Sequence, residues 1–329
     1  PVYLTASIGI AVSGGAADDP ERLLGGAWTA LLRARGRGGA RHVLCDRQMQ
    51  ARSQARRRME ADLRRALDGD GVEVHYQPIV AVEDGRIEGF EALARLRAAD
   101  GSLAPPAEFI PLAEETGLIG ALGLRVLRIA AGQMAEWQRR FASAPARVMS
   151  VNLSPRQFAD PGLVDDVARV LAETGLPAGS LRLELTETML AGDVDAVASA
   201  LGELKRAGVS IAIDDFGTGY SSLAWLHRFP LDALKVDQSF VARMGEEGGE
   251  EIVRTIVSLS RALGLQTVAE GVETDDQRRR LQALGCTLAQ GWLFARPLPA
   301  AEAERLLAAE AVPVPRAAVR AFAVAREVG

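Results

Sequence analysis

The sequence predicts an α/β fold: an irregular (βα)8 barrel of the TIM type whose first two strands form an antiparallel pair. Two observations predict it. From about residue 71 to residue 307, short β-rich runs alternate with longer helical ones, the rhythm of parallel strands joined by helical crossovers. The first two β-rich runs break that rhythm, because only Glu83-Asp84-Gly85 joins them. Such a link is too short for a crossover helix and suits a hairpin.

Taken in order, strands are expected at Val72–Val80, Arg86–Leu96, Arg147–Leu153, Leu181–Thr186, Val209–Asp214, Ala233–Asp237, Gln266–Glu270 and Cys286–Gln290. Helices are expected at Leu118–Phe141, Leu163–Thr174, Val194–Ala207, Glu251–Leu263 and Asp275–Leu284. Ahead of the barrel, Leu4–Val12 reads as a strand, and Asp19-Pro20-Glu21 opens a helix that ends near Gly36. Asp is a good N-cap and Pro suits the first helical turn. A piece of this size cannot bury a core by itself. Arg56–Leu67 reads as an exposed helix with a narrow apolar stripe of Met59, Leu63, Ala66 and Leu67. This divides the chain into residues 1–46, a linker helix over 47–68, the barrel over 69–310, and an Ala/Val-rich extension over 311–329 with a helix expected from Arg316 to Arg326.

Composition narrows the function classes. The chain has 329 residues, 48% apolar and 25% charged, which excludes a disordered chain. A net charge of −5 argues against a DNA, RNA or anionic-membrane partner. Cys45 and Cys286 are the only cysteines, and His42, His75 and His227 the only histidines. That excludes a disulfide framework and a Cys/His zinc site, fits a reducing, cytoplasmic compartment, and leaves oxygen ligands for any metal. No stretch approaches the roughly 20 apolar residues of a membrane span, and no signal peptide opens the chain. Since Pro1 rather than Met comes first, a longer parent protein is expected, with membrane tethering left to its upstream part.

Strand alternation locates the chemistry. Successive strand side chains point to opposite faces. In Val209–Asp214 the large apolar residues alternate with Ser210, Ala212 and Asp214; in Leu181–Leu185, Glu184 opposes three leucines. Asn152, Lys235 with Asp237, Glu270, and Glu91 with Leu93 and Arg95 hold equivalent positions on their strands. Helices cover the outside of such a barrel, so the polar faces look inward, and strand C-termini carry barrel active sites. Glu91, Asn152, Glu184, Asp214, Asp215 and Glu270 should therefore converge on one mouth. Five carboxylates there demand counter-charge, which two divalent cations and the Lys235 ammonium would supply. Oxygen ligands suit Mg²⁺ or Mn²⁺, and a metal pair suits phosphodiester hydrolysis.

The same residues resemble a known family. Glu91-Ala92-Leu93-Ala94-Arg95 is similar to the signature of EAL-domain cyclic di-GMP phosphodiesterases. It is accompanied in order by Tyr76-Gln77-Pro78-Ile79, Glu108-Phe109-Ile110-Pro111, Asn152-Leu153-Ser154, Glu184-Leu185-Thr186-Glu187, Asp214-Asp215-Phe216-Gly217-Thr218-Gly219, Lys235-Val236-Asp237, Glu270-Gly271-Val272-Glu273 and Gln290-Gly291. The resemblance implies hydrolysis of cyclic di-GMP to linear pGpG in bacterial second-messenger signalling, with Mg²⁺ or Mn²⁺. It implies one metal on Glu91, Asn152, Glu184 and Asp214, and a second on Asp214, Asp215 and Glu270. It casts Lys235 as catalytic and leaves Glu270 open between ligand and general base. Gln77, Leu93, Arg95, Asp237 and Gln290 would contact substrate. The loop Phe216–Ser222, with Gly217 and Gly219, would control metal binding and homodimer contacts, tethered by Glu187 and supported with Glu273. Leu96 replaces a common aromatic and Val236 a common isoleucine, and neither change removes a polar group. The alternative is a catalytically silent member acting as a cyclic di-GMP receptor; the presence of every acid, Lys235 and the loop favours the hydrolase. Residues 1–46 resemble the C-terminal end of a GGDEF domain, through Thr5–Ala11 and Ala27–Arg41, without that domain's signature loop.

Overall fold

The computed structural model describes residues 4–13, 19–141, 146–190, 194–219, 226–246 and 248–311. The chain opens on β1 (Ile8–Ile10), α1 (Pro20–Gly36) and β2 (His42–Leu44), with β1 and β2 parallel. Asp19 caps α1 by accepting from the Glu21 N–H, as its sequence position suggests. The expected strand over Leu4–Val12 shortens to three residues, and β2 is an element the sequence reading did not contain. α2 (Arg47–Asp68) has the span given for the linker helix and extends the Arg56–Leu67 run read as helical, and Leu63 and Ala66 of its apolar stripe are buried.

The barrel follows. Its eight strands are β3 (Val72–Ala81), β4 (Ile87–Arg97), β6 (Val148–Asn152), β7 (Leu181–Thr186), β8 (Ser210–Phe216), β9 (Ala233–Val236), β10 (Gln266–Ala269) and β11 (Leu288–Ala289). β4 through β11 run parallel in that order, while β3 is antiparallel to both β4 and β11 and closes the ring. The antiparallel first pair is as expected from its short link. Two short strands, β5 (Leu103–Ala104) and β12 (Leu298–Pro299), add to β4 and β3.

Helices α3 (Pro106–Thr116), α4 (Ile119–Arg140), α5 (Pro155–Phe158), α6 (Leu163–Thr174), α7 (Val194–Arg206), α8 (Gln238–Ala242), α9 (Gly249–Ala262), α10 (Asp275–Leu284) and α11 (Ala300–Ala311) complete the described residues. α3, α5, α8 and α11 were not among the expected helices. α4 shows why such segments are helical: Ile119, Leu122, Val126, Ala130, Met134 and Trp137 recur at intervals of three and four and form one buried stripe. The Trp137 ring lies 4.9 Å from both Tyr76 and Phe90, clamping α4 to the first strand pair.

The main core lies between barrel and helices and takes the outward strand residues Leu181, Leu183, Leu185, Ile211, Ile213, Leu234 and Val236. Inside the barrel a separate apolar cluster comprises only Ile79, Val268 and Leu288. Alternation turns the other set of strand residues inward once the leucines face the helices, and Glu91, Ser150, Arg182, Glu184 and Lys235 are buried polar members of it. Cys286 is buried. The expected helix Arg316–Arg326 and loop residues 220–222 lie outside the described residues. Among those described, no helix is long and apolar enough to cross a membrane.

Candidate active site

The barrel's register brings the inward acids to one level. Gln77 pairs with Glu91, Glu91 with Ser150, and Asn152 with Glu184. Thr186 pairs with Asp214 on the next strand, and Lys235 with Val268, two residues before Glu270. Lys235, only 1% exposed, sits at the centre. Its Nζ lies 2.6 Å from Glu184 Oε2, 2.7 Å from Glu270 Oε1, 3.1 Å from Asp214 Oδ1 and 3.6 Å from Glu91 Oε2. Glu91 also accepts from Asn152 Nδ2 at 2.7 Å and from Gln290 Nε2 at 2.6 Å; the same Gln290 nitrogen reaches Glu270 Oε1 at 3.1 Å.

Asp215 arrives by a different route. Strict alternation would turn it toward the helices, opposite Asp214. The pairing of β8 with β9 shifts register between Ile213 and Phe216, and Asp215 takes φ +53°. A bulge of this kind re-aims side chains, and Asp tolerates the left-handed region better than most residues. Carboxylate oxygens of Asp214, Asp215 and Glu270 consequently lie within 4.8 Å of one another. This donor set is all oxygen and suits a hard divalent cation.

The electrostatics follow from burial and from the crowding of like charges. Burial pushes Glu184 up to about 7, helped by Glu91 and Asp214 and opposed by Lys235. Burial, then Asp214 and Glu91, raise Glu270 well above the ordinary carboxyl range. Asp215 rises to about 6, through burial, Asp214 and a side-chain hydrogen bond with Asp237. Burial also works against ionised Glu91, but Lys235 and the Gln290 and Asn152 amides outweigh it, and its carboxyl ends below the usual value. Burial disfavours the Lys235 ammonium, yet its carboxylate neighbours, Glu184 first, hold it well above the ordinary lysine value. Lys235 is therefore a fixed positive charge, while its partners Glu184 and Glu270 hold a proton to higher pH than ordinary carboxyls.

The remaining expected residues divide. Gln77 is buried beside Glu91 and donates to the Ala295 carbonyl at 3.2 Å. Glu187 Oε2 accepts from the Gly217 N–H at 2.9 Å and the Gly219 N–H at 3.3 Å, so it does tether the loop start. Gly217 has φ +97°, and a Cβ at Gly219 would stand 2.7 Å from Glu187 Oε1. Asp237 reaches Asp215 while also capping α8 through Ser239. Leu93 and Arg95 share Glu91's face further along β4. Arg95 donates to the Ala94 carbonyl at 2.8 Å and forms no salt bridge with the acids among the described residues. Glu273 is exposed, and its backbone N–H donates to Gln277.

One interior residue was missed. Arg182, two positions before Glu184, points into the barrel below it and is 5% exposed. The i, i+2 relation to Glu184 was the available signal. It corrects the charge count made from sequence, because Lys235 is not the only buried cation beneath the acids.

Buried carboxylates and one lysine gathered at the strand ends of a closed eight-stranded barrel define an enzyme-type site in the place where barrel active sites lie. The EAL domain family model matches residues 60–297, and the chain belongs to that family. It is 40% identical over 309 residues to cyclic di-GMP phosphodiesterase NbdA of Pseudomonas aeruginosa, covering 94% of this chain and 39% of that protein. It is 41% identical over 311 residues to the bifunctional diguanylate cyclase/cyclic di-GMP phosphodiesterase MucR of the same organism, covering 94% of this chain and 45% of the relative. The solved structure of the PaMucR phosphodiesterase in complex with c-di-GMP superposes with TM-score 0.71 at 43% identity, over 74% of this chain and 99% of that one. The chain spans between 36% and 50% of the length of the first curated relatives it matches.

Proposed function

We propose that this chain hydrolyses cyclic di-GMP to linear pGpG with two Mg²⁺ or Mn²⁺ ions. The observation that carries the reading is the Lys235 ammonium set among Glu91, Glu184, Asp214 and Glu270, with Asp215 turned toward them. Five carboxylates against the Lys235 ammonium and the deeper Arg182 guanidinium leave an excess of negative charge that divalent cations offset. Glu91, Asn152, Glu184 and Asp214 would hold one ion, and Asp214, Asp215 and Glu270 the other. When bound, such a pair supplies positive charge that lowers the pKa of water and stabilises charge developing on a phosphodiester.

The chain's own residues do the rest. Lys235 Nζ stays protonated and donates toward oxygen at the centre of the cluster. Glu270, with Oε1 engaged by Lys235 and Gln290, keeps Oε2 to meet a ligand or take a proton. Gln77 and Gln290 flank Glu91 and are suited to the edge of a guanine. Leu93 and Arg95, further along the same face, are suited to the sugar-phosphate, with Asp237 at the opposite side. Glu187 holds the Gly217–Gly219 turn that connects the aspartate pair to a dimer contact, with Glu273 in a supporting role to that loop.

Residues 1–46 are read as the C-terminal part of a GGDEF-like domain. In support, the parallel β1–β2 pair carries α1 on one face and exposes Ile8, Ile10 and Leu44, and one relative is named as bifunctional with a cyclase. Residues 47–68 then link it to the barrel at 69–310, with 311–329 as an extension. The test is a product assay on the purified chain with Mn²⁺. The reading predicts pGpG, and its loss in Glu91→Ala. Dinucleotide bound but left intact would overturn it in favour of a receptor.

A further inference from the structure

Arg182 is a buried guanidinium whose hydrogen-bond partners are neutral. Nη2 donates to Gln266 Oε1 at 2.5 Å and Nε to Ser210 Oγ at 3.4 Å. It forms no salt bridge among the described residues, although buried charges are ordinarily paired. The nearby Asp232 is taken by Lys205, at 2.8 Å to each carboxylate oxygen. Ser150, its register neighbour on β6, has a buried Oγ without a partner. Strand geometry puts Arg182 about 6.6 Å below Glu184 along β7, on the same inward face. The charge facing the guanidinium at longer range is the acidic cluster, with Glu184 nearest in sequence and Asp232 on the other side. Burial pushes the guanidinium below its ordinary value, opposed first by Glu184 and then by Asp232.

A fixed positive charge beneath a metal-binding cluster repels each divalent ion with twice the energy with which it repels a proton at the same place. We propose that Arg182 lowers the divalent-cation affinity of the acidic cluster, its positive charge acting across the barrel interior from the floor beneath Glu184. This rests on the metal-pair reading above, and it assigns Arg182 a role in that pair's affinity beyond filling the barrel floor. Its removal should tighten metal binding wherever each ion displaces fewer than two protons. A purely structural role predicts the opposite sign, since a loosened barrel disperses its ligands.

The experiment is calorimetric titration of the full chain, stripped of metal, with Mn²⁺ alone. Arg182→Gln should bind the first ion roughly tenfold or more tightly than the parent, for a unit charge about 10 Å away at an effective dielectric of about 20–40. Arg182→Lys, which keeps the charge, should restore the parent affinity. Gln266→Glu gives an independent arm should Arg182→Gln not fold. Its carboxylate would pair with the guanidinium from the exposed side of the floor, neutralise it, and tighten binding in the same direction. Equal or weaker Mn²⁺ affinity in both charge-altering variants would overturn the proposal while leaving the metal-pair reading intact. A parent chain that binds no Mn²⁺ would overturn both.

Discussion

Replacing Lys235 by Met keeps the side chain's length and apolar stem but removes the charge at the centre of four carboxylates. The ammonium is 1% exposed, so water cannot take its place. The cheapest response is for the cluster to hold one more proton. A carboxyl of this type ordinarily titrates at 4.5. Keeping it protonated at about pH 8 spans roughly three and a half units at about 1.4 kcal/mol each, so the variant loses about 4–5 kcal/mol. That agrees with the roughly 3–5 kcal/mol expected for breaking a buried ion pair from one side. The sign is fixed by linkage. The folded variant binds more protons than its unfolded chain above 4.5, so its stability falls as pH rises, and near pH 5 the deficit shrinks to about 1 kcal/mol. In thermal unfolding with chelator present, Lys235→Met should melt roughly 10–20 °C below the parent at about pH 8 and within about 5 °C near pH 5. Mn²⁺ should recover part of the difference by returning positive charge. A melting deficit that is absent at pH 8, or equal at both pH values, would refute the charge-balance reasoning.

Other predictions follow from the same geometry. Because Glu184 and Asp215 are raised to about 7 and about 6, metal binding must expel protons, and affinity should fall as pH drops through that range. Calorimetry near neutral pH in two buffers of different ionisation enthalpy checks this; heats independent of buffer would contradict it. Gly219→Ala puts a Cβ against Glu187 Oε1 and should break the tether at a cost of about 1.5 kcal/mol, slowing hydrolysis by roughly tenfold with little change in melting. Steady-state rates on cyclic di-GMP decide it, and an unchanged rate would detach the loop from catalysis. Trp137→Ala should cost about 3–5 kcal/mol in chemical denaturation, since that ring joins α4 to both Tyr76 and Phe90. A loss under about 1 kcal/mol would show that the contact contributes little.

The amino-acid order alone determined the barrel, its antiparallel first pair and the inward direction of Glu91, Asn152, Glu184, Asp214, Lys235 and Glu270. Those features follow from period-two alternation and link length, which are local and legible. It did not determine the short elements: β2 and β12 are held by neighbours distant in sequence, and Leu4–Val12 pairs only where β2 runs beside it. Tertiary structure decided three further matters. Asp215 joins the cluster because the β8–β9 register slips and its backbone turns to positive φ, which no alternation pattern encodes. Lys235 meets four carboxylates at once because the closed ring sets strands β4, β7, β8 and β10 around it, a consequence of closure rather than of any one strand. Arg182 became a buried charge under Glu184 because barrel interiors must be filled from all strands together, so one side chain's surroundings depend on registers across the whole sheet.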